Sequence, residues 1–124
     1  MKVRVDIINN KNLINSYGAG GFTIDQKRYK GSIIILPSGP MEINTTDIHK
    51  ALDLINKEIV KISDNLDILL VGSGEKLIDL SDDISAKLIE LGINPEIMAT
   101  SAACRTWNVL TSENRRIAAL MMAI

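Results

Sequence analysis

The chain has 124 residues, 46% of them hydrophobic, and a formal net charge of -1 from 14 basic and 15 acidic side chains. That length makes one domain, residues 1–124, able to bury roughly two-thirds of the surface its unfolded form exposes. Interspersed, nearly balanced charge argues against a nucleic-acid binder, which carries a basic patch and a high pI, and the single cysteine excludes an intramolecular disulfide.

The opening stretch, MKVRVDIINNKNLINSYG, is alternating and polar. It has neither the apolar core of a signal peptide nor the acid-poor, Arg/Ser-rich character of a transit peptide. No run is long and apolar enough to span a bilayer as a helix. The expectation is a cytoplasmic protein without membrane insertion, in a reducing compartment that suits a lone thiol.

Residues 3–8 (Val3-Arg4-Val5-Asp6-Ile7-Ile8) begin with period-two alternation and predict a first strand of edge type. Residues 9–16 read as a polar loop. Tyr17-Gly18-Ala19-Gly20-Gly21-Phe22 then offers positive φ and close backbone approach. A phosphate-cradling loop would need a Gly-Lys-Ser/Thr ending and a helix behind it. Phe22-Thr23-Ile24-Asp25 reads as a strand instead, so the glycines predict a tight turn or bulge entering a hairpin. Gln26-Lys27 connects that strand to Arg28-Tyr29-Lys30-Gly31. Ser32-Ile33-Ile34-Ile35-Leu36 has the continuous β-branched run of a strand buried on both faces, and Pro37-Ser38-Gly39-Pro40 ends it. Residues 1–40 are thus expected to form one antiparallel β unit.

Thr45 or Thr46 starts the first clear helix, with Asp47 in its first turn. Ile48, Ala51, Leu52, Ile55, Ile59 and Ile62 fall at helical spacing and make one apolar face. His49 sits one position off that face and reads as a solvated surface residue, since nothing is placed to orient it as a base. Asp67-Ile68-Leu69-Leu70-Val71 is a second buried strand, closed by Gly72-Ser73-Gly74. Ser81 caps a second helix with Asp82 and Asp83 in its first turn. Ile84, Leu88 and Leu91 form its buried stripe and Gly92 ends it. Pro95-Glu96-Ile97-Met98-Ala99 reads as another buried strand. The β-α-β-α alternation predicts parallel strands with helical crossovers.

That strand leads into a helix over residues 102–110, which holds the only cysteine and the only tryptophan of the chain. Ser101 or Thr100 can cap it. A strand running into a helix start also makes an anion site, because free N–H groups converge there. With a Ser101 cap, Cys104 falls in the first turn, where the dipole and Arg105 favour a thiolate. Packing against a sheet, which Ala102 and Ala103 suggest, would instead make it an inert apolar side chain. Arg105, about 100° further round the helix, is the better contact for an anion or an acidic partner. Residues 115–124 lean towards helix by propensity, although the apolar run is short enough for a buried strand.

Four motifs in order carry a resemblance: Tyr17-Gly18 with Gly20-Gly21-Phe22; Tyr29 with Gly31-Ser32-Ile33; Leu70-Val71-Gly72-Ser73-Gly74; and Ala102 followed by Arg105-Thr106-Trp107-Asn108-Val109-Leu110. Together they resemble a small, poorly characterised α/β domain family. Its members include the mitochondrial complex I alpha-subcomplex assembly factor 3 and the adipogenesis-associated domain protein. The resemblance runs from Tyr17 to Leu120. It implies an α/β fold of three layers: a central mixed, mostly parallel sheet with helices on one face and a small antiparallel β unit on the other, the last strand antiparallel. Residues 115–122 then become a strand. The family often has Tyr at the position of Trp107, a small departure between two large amphipathic rings. It offers no agreed catalytic motif, so no residue is carried over as catalytic.

Two functions from different classes follow. The first, implied by the resemblance, is a non-enzymatic assembly or interaction factor. Its partners would be subunits or assembly intermediates of respiratory complex I (NADH:ubiquinone oxidoreductase). The second is a small-molecule or anion-binding, enzyme-like domain. Ligands of open parallel sheets sit beyond the carboxyl ends of the strands. There Gly72, Ser73, Gly74, Ser101, Arg105 and Asn108 form the candidate anion or partner site. The competing structural reading makes the glycines a turn, Ser101 a cap and Arg105 the partner of an acid such as Glu75. No cofactor is expected. One Cys and one His, far apart, supply neither a zinc set nor a Cys-His nucleophile. Strands at 32–36, 67–71, 95–99 and 115–122 are expected to be largely buried.

Overall fold

The computed structural model describes residues 12–62, 66–80 and 82–124, without the Ile84 side chain. The strand expected at residues 3–8, the Ser81 cap and the Ile84 part of the second helix's stripe lie outside the described residues. A five-stranded mixed sheet forms the centre. In chain order its strands are β4 (Ile33–Leu36), β5 (Gly39–Glu42), β6 (Ile68–Gly72), β7 (Pro95–Met98) and β8 (Ile117–Met121). Their spatial order is β5-β4-β8-β6-β7. A separate antiparallel sheet holds β1 (Ile14–Gly18), β2 (Gly21–Ile24) and β3 (Lys27–Lys30). The helices among the described residues are α1 (Ile48–Ile59), α2 (Asp82–Glu90) and α3 (Thr100–Ser112).

Period-two alternation assigns each strand residue of the central sheet to one of two cores. Ile34, Leu69, Val71, Ala118 and Leu120 point to the face covered by Ala51, Leu52, Ile55 and Ile59 of α1 and Leu88 of α2. Ile33, Ile35, Leu70, Ala119 and Met121 point to the other face, against Ile14, Phe22 and Ile24 of the β unit and Ala103, Cys104 and Trp107 of α3. The expected three layers of a mixed α/β fold are therefore present. The helices divide two to one: α1 and α2 share one face, and α3 shares the other with the β unit. Crossovers by α2 and α3 on opposite faces make β6 parallel to β7 and to β8. The last strand is antiparallel to β4 alone. It is a strand, as the resemblance implied and propensity did not, because all of Ile117–Met121 is buried between both cores, where every backbone group needs a ladder partner.

Other expectations are corrected. Residues 9–16 are not all loop: β1 begins at Ile14 and pairs with β2. Residues 1–40 do not make one β unit, because β4 leaves β1–β3 and joins the central sheet between β5 and β8. Pro37 and Ser38 end that strand as expected, but as the turn of a hairpin with Leu36 opposite Gly39, so that Gly39 and Pro40 already belong to the return strand β5. Pro40 is tolerated in the return strand because β5 is an edge, where a missing N–H breaks no ladder. Residues 95–99 are only half-buried, since β7 is the opposite edge and pairs with β6 alone.

The first hairpin turn of the β unit, Ala19-Gly20, bears out the tight-turn reading of the glycines, while the second lies at Asp25-Gln26, one residue earlier than the expected Gln26-Lys27. Ala19 and Gly20 have φ of 53° and 76°, and Asp25 and Gln26 have 49° and 69°. Paired positive φ at two turn residues is the geometry whose twist matches the strands. The non-glycine turn is held by side chains: the Asp25 carboxylate accepts from the N–H groups of Asn12 and Leu13, and Asn15 Oδ1 accepts from Gln26 N–H. α1 begins one step later than expected. Asp47 is its N-cap and accepts from His49 N–H at 2.9 Å, while Thr45 Oγ1 accepts from Asp47 N–H. His49 is exposed.

Candidate functional site

The loop after β6 and the start of α3 meet as expected, because β6 and β7 are neighbours. Hydrogen bonds stitch this switch point together. Gly74 N–H donates to Thr100 Oγ1 at 2.9 Å, and Thr100 N–H returns a bond to Gly74 O at 2.8 Å. The Thr100 hydroxyl in turn donates to Met122 O at 2.7 Å. Ser73 N–H donates to Met98 O, and the Ser73 hydroxyl donates to Lys76 O and accepts from Ile78 N–H. Thr100 is fully buried and Ser73 nearly so. The Ser73 and Gly74 amides are thus committed inside the fold. Gly72 explains how the helix comes so near: a Cβ there would meet Met121 Sδ and Thr100 Oγ1 at 3.0 Å.

Neither Thr100 nor Ser101 caps α3. The N-cap position is Ala99, which makes no side-chain cap bond, because the Thr100 hydroxyl is spent on Gly74 and Met122. Cys104 is consequently the fifth residue of the helix, past the first turn in which the dipole acts. It is buried at 1% exposure. Desolvation pushes its thiol up to about 12, against a smaller opposing pull from the Arg105 charge. That is a packed cysteine whose thiol is held in its protonated form.

Arg105 and Asn108 face the β unit, away from the 72–74 loop. The Arg105 guanidinium does not pair with Glu75; it donates from Nη1 to the Tyr17 hydroxyl at 3.3 Å. Asn108 holds Ile14 by both backbone groups, with distances of 2.8 and 2.9 Å. Trp107 is buried, and its Nε1–H donates to Asn12 O at 2.8 Å. These residues lock β1 onto α3 and leave Tyr17, Arg105 and Val109 on the surface, Tyr17 at 37% and Val109 at 56% exposure. The structure therefore splits the sequence-derived set: 72–74 adjoin the start of α3, where Ser101 is half-buried, while Arg105 and Asn108 meet β1.

Sequence reading missed a cleft of about 640 Å³ between the start of α1 and the loop after β6. Its lining includes Ser73, Gly74 and Ile78 from the loop after β6, Met122 after β8, and Asn44, Thr46 and Lys50 at and before the start of α1. The only sequence signal there is Thr45-Thr46-Asp47, which reads as a helix start. No group of three or more metal-ligating side chains occurs among the described residues, nor is any described helix long and apolar enough to cross a membrane.

Comparison with known proteins places this geometry in context. A family model described as a protein of unknown function (DUF498/DUF598) matches residues 14–122. An uncharacterised protein of Rhodobacter capsulatus is 31% identical over 109 residues, spanning 88% of this chain and 82% of its own. The NADH dehydrogenase [ubiquinone] 1 alpha subcomplex assembly factor 3 of Xenopus tropicalis is 28% identical over 110 residues. That match spans 88% of this chain but only 60% of the assembly factor. Among solved structures, one described as an outer membrane protein from Bartonella henselae superposes with a TM-score of 0.82 at 35% identity, covering 93% of this chain and 97% of that one.

Proposed function

The chain belongs to the family of proteins of unknown function DUF498/DUF598, and from that membership we propose that it is an interaction factor assisting assembly of an NADH dehydrogenase-type respiratory complex. The observation that carries this reading is the 28% identity, over most of the chain, with a relative named as an assembly factor for such a complex. The polar side chains in and beside the sequence-derived site support it. Ser73, Thr100, Trp107 and Asn108 spend their hydrogen bonds on backbone groups of the fold, and Cys104 is buried. What remains free on that side is a contact surface of Tyr17, Arg105 and Val109. Tyrosine and arginine are the residue types most enriched where partner binding is strongest, and the exposed Arg105 suits an acidic group on the partner. In this reading Asn108 is a positioning residue that fixes β1 and with it Tyr17. The free Cys104 accords with a cytoplasmic, reducing compartment.

The test is affinity purification of the full chain from its native cells under mild conditions, followed by mass spectrometry. NADH dehydrogenase subunits should be enriched with the native chain and lost with Arg105→Glu plus Val109→Asp, two exposed changes that leave the fold intact. Recovery of no such subunit would overturn the assembly role. Undiminished recovery with the double variant would overturn the contact surface.

A further inference from the structure

We infer that the cleft between α1 and the loop after β6 binds a small amphipathic anion, an apolar body carrying a carboxylate or phosphate head. The inference does not rest on the assembly reading. The cleft volume, about 640 Å³, falls within the span of roughly 300–1,000 Å³ found for small-molecule sites. It opens at the end of the sheet where the parallel strands β6 and β8 stop, beside Ser73, Gly74, Met122 and Ala123. Open α/β sheets hold ligands at that end. Ile43, Ile48, Ile78 and Met122 supply the apolar part of its lining.

The head is identified by which polar groups are still available. The Asp47 carboxylate already accepts from His49 N–H, and Thr45 Oγ1 from Asp47 N–H. The Ser32 hydroxyl accepts from Ala123 N–H, and the Ser73 hydroxyl is bonded on both sides. The cleft side chains that make no hydrogen bond or ion pair among the described residues are those of Asn44, Thr46 and Lys50. All three are exposed and all three donate. Lys50 takes part in neither ion pair of the described residues. Three unpaired donors, one of them the Lys50 cation, complement an anionic acceptor against the opposing charge of Asp47, which also lines the cleft, while the apolar side chains take the body.

The test is an NMR titration of the full chain with octanoate, with inorganic phosphate as a head without a body, and with octanol as a body without a head. Octanoate should move the amides of residues 43–50, Ile78 and Met122, and should bind roughly tenfold or more tightly than either fragment. Lys50→Glu, an exposed change on α1, should weaken octanoate roughly tenfold and leave octanol unchanged. Asp47→Asn keeps a good N-cap and removes a negative charge at the mouth, so octanoate should bind more tightly. Octyl phosphate in place of octanoate decides which head is preferred, and either preference supports the site. No shift in these amides, shifts confined to other exposed apolar residues such as Val109, octanoate binding no tighter than phosphate, or octanoate binding indifferent to Lys50→Glu would overturn the inference.

Discussion

Asn108 on α3 treats Ile14 as a strand neighbour would: its Oδ1 accepts the Ile14 N–H at 2.8 Å and its Nδ2 donates to the Ile14 carbonyl at 2.9 Å. One side-chain amide thereby satisfies both backbone groups at the start of β1, the outer strand of its sheet. Asn108→Leu fills similar volume and leaves both groups unpaired. It should cost about 1–3 kcal/mol in urea unfolding. Asn108→Asp keeps the acceptor and loses the donor, and should fall between the two. A urea midpoint for Asn108→Leu equal to that of the native chain would show that β1 does not depend on this clamp.

Thr100 joins three segments through one buried hydroxyl, accepting from Gly74 and donating to Met122. Thr100→Val preserves shape but strands a donor and an acceptor in a dry site. A loss of roughly 2–4 kcal/mol is expected from two unmet groups. Thr100→Ser, which restores the hydroxyl, should recover most of it. Equal stability of the Val and Ser variants would mean that the methyl group matters and the bonds do not.

Trp107 fills the core between α3 and the β unit at 2% exposure. Trp107→Ala should destabilise by about 3–5 kcal/mol through lost burial and the cavity left behind. Trp107→Phe keeps much of the packing and loses the Nε1 bond to Asn12, so it should cost less. Calorimetric melting of both variants checks the order, and a smaller effect for Ala than for Phe would contradict the buried placement.

Cys104 ties stability to alkaline pH. Its thiol is raised by burial from an ordinary value of 9.0 to about 12. The folded state therefore holds its proton where the unfolded state has released it. This contribution is fully present below pH 9 and is lost as pH rises from 9 towards 12. Cys104→Ala removes this dependence, so the stability difference between native chain and variant should shrink across that window. Iodoacetamide should label the folded native chain slowly at neutral pH and quickly once urea unfolds it. Fast labelling of the folded chain below neutral pH would make Cys104 an accessible thiolate.

The apolar periodicity of the chain determined much of the fold by itself. Ile48, Ala51, Leu52, Ile55 and Ile59 lie on one stripe whatever the helix meets, because 3.6-residue spacing is a local property. The apolar runs at Ile33–Leu36 and Ile68–Gly72 required burial on two faces, and the glycine turn before Phe22 required positive φ. Alternating apolar runs do not say which strand lies beside which. Only the tertiary structure decided that β4 leaves the first hairpins, that β7 is an edge and only half-buried, and that β5 exists as a proline-tolerant edge. The candidate site followed the same division. Gly72, Ser73 and Gly74 were legible as a turn at a strand end. That the Ser73 and Gly74 amides are taken by Met98 and Thr100 was not, since those partners stand about 25 residues along the chain. Thr46 read locally as the start of a helix, and Asn44 and Lys50 carried no signal of their own. They line a cleft only because β6 and β8 end opposite α1, a juxtaposition made by long-range packing that no local pattern encodes.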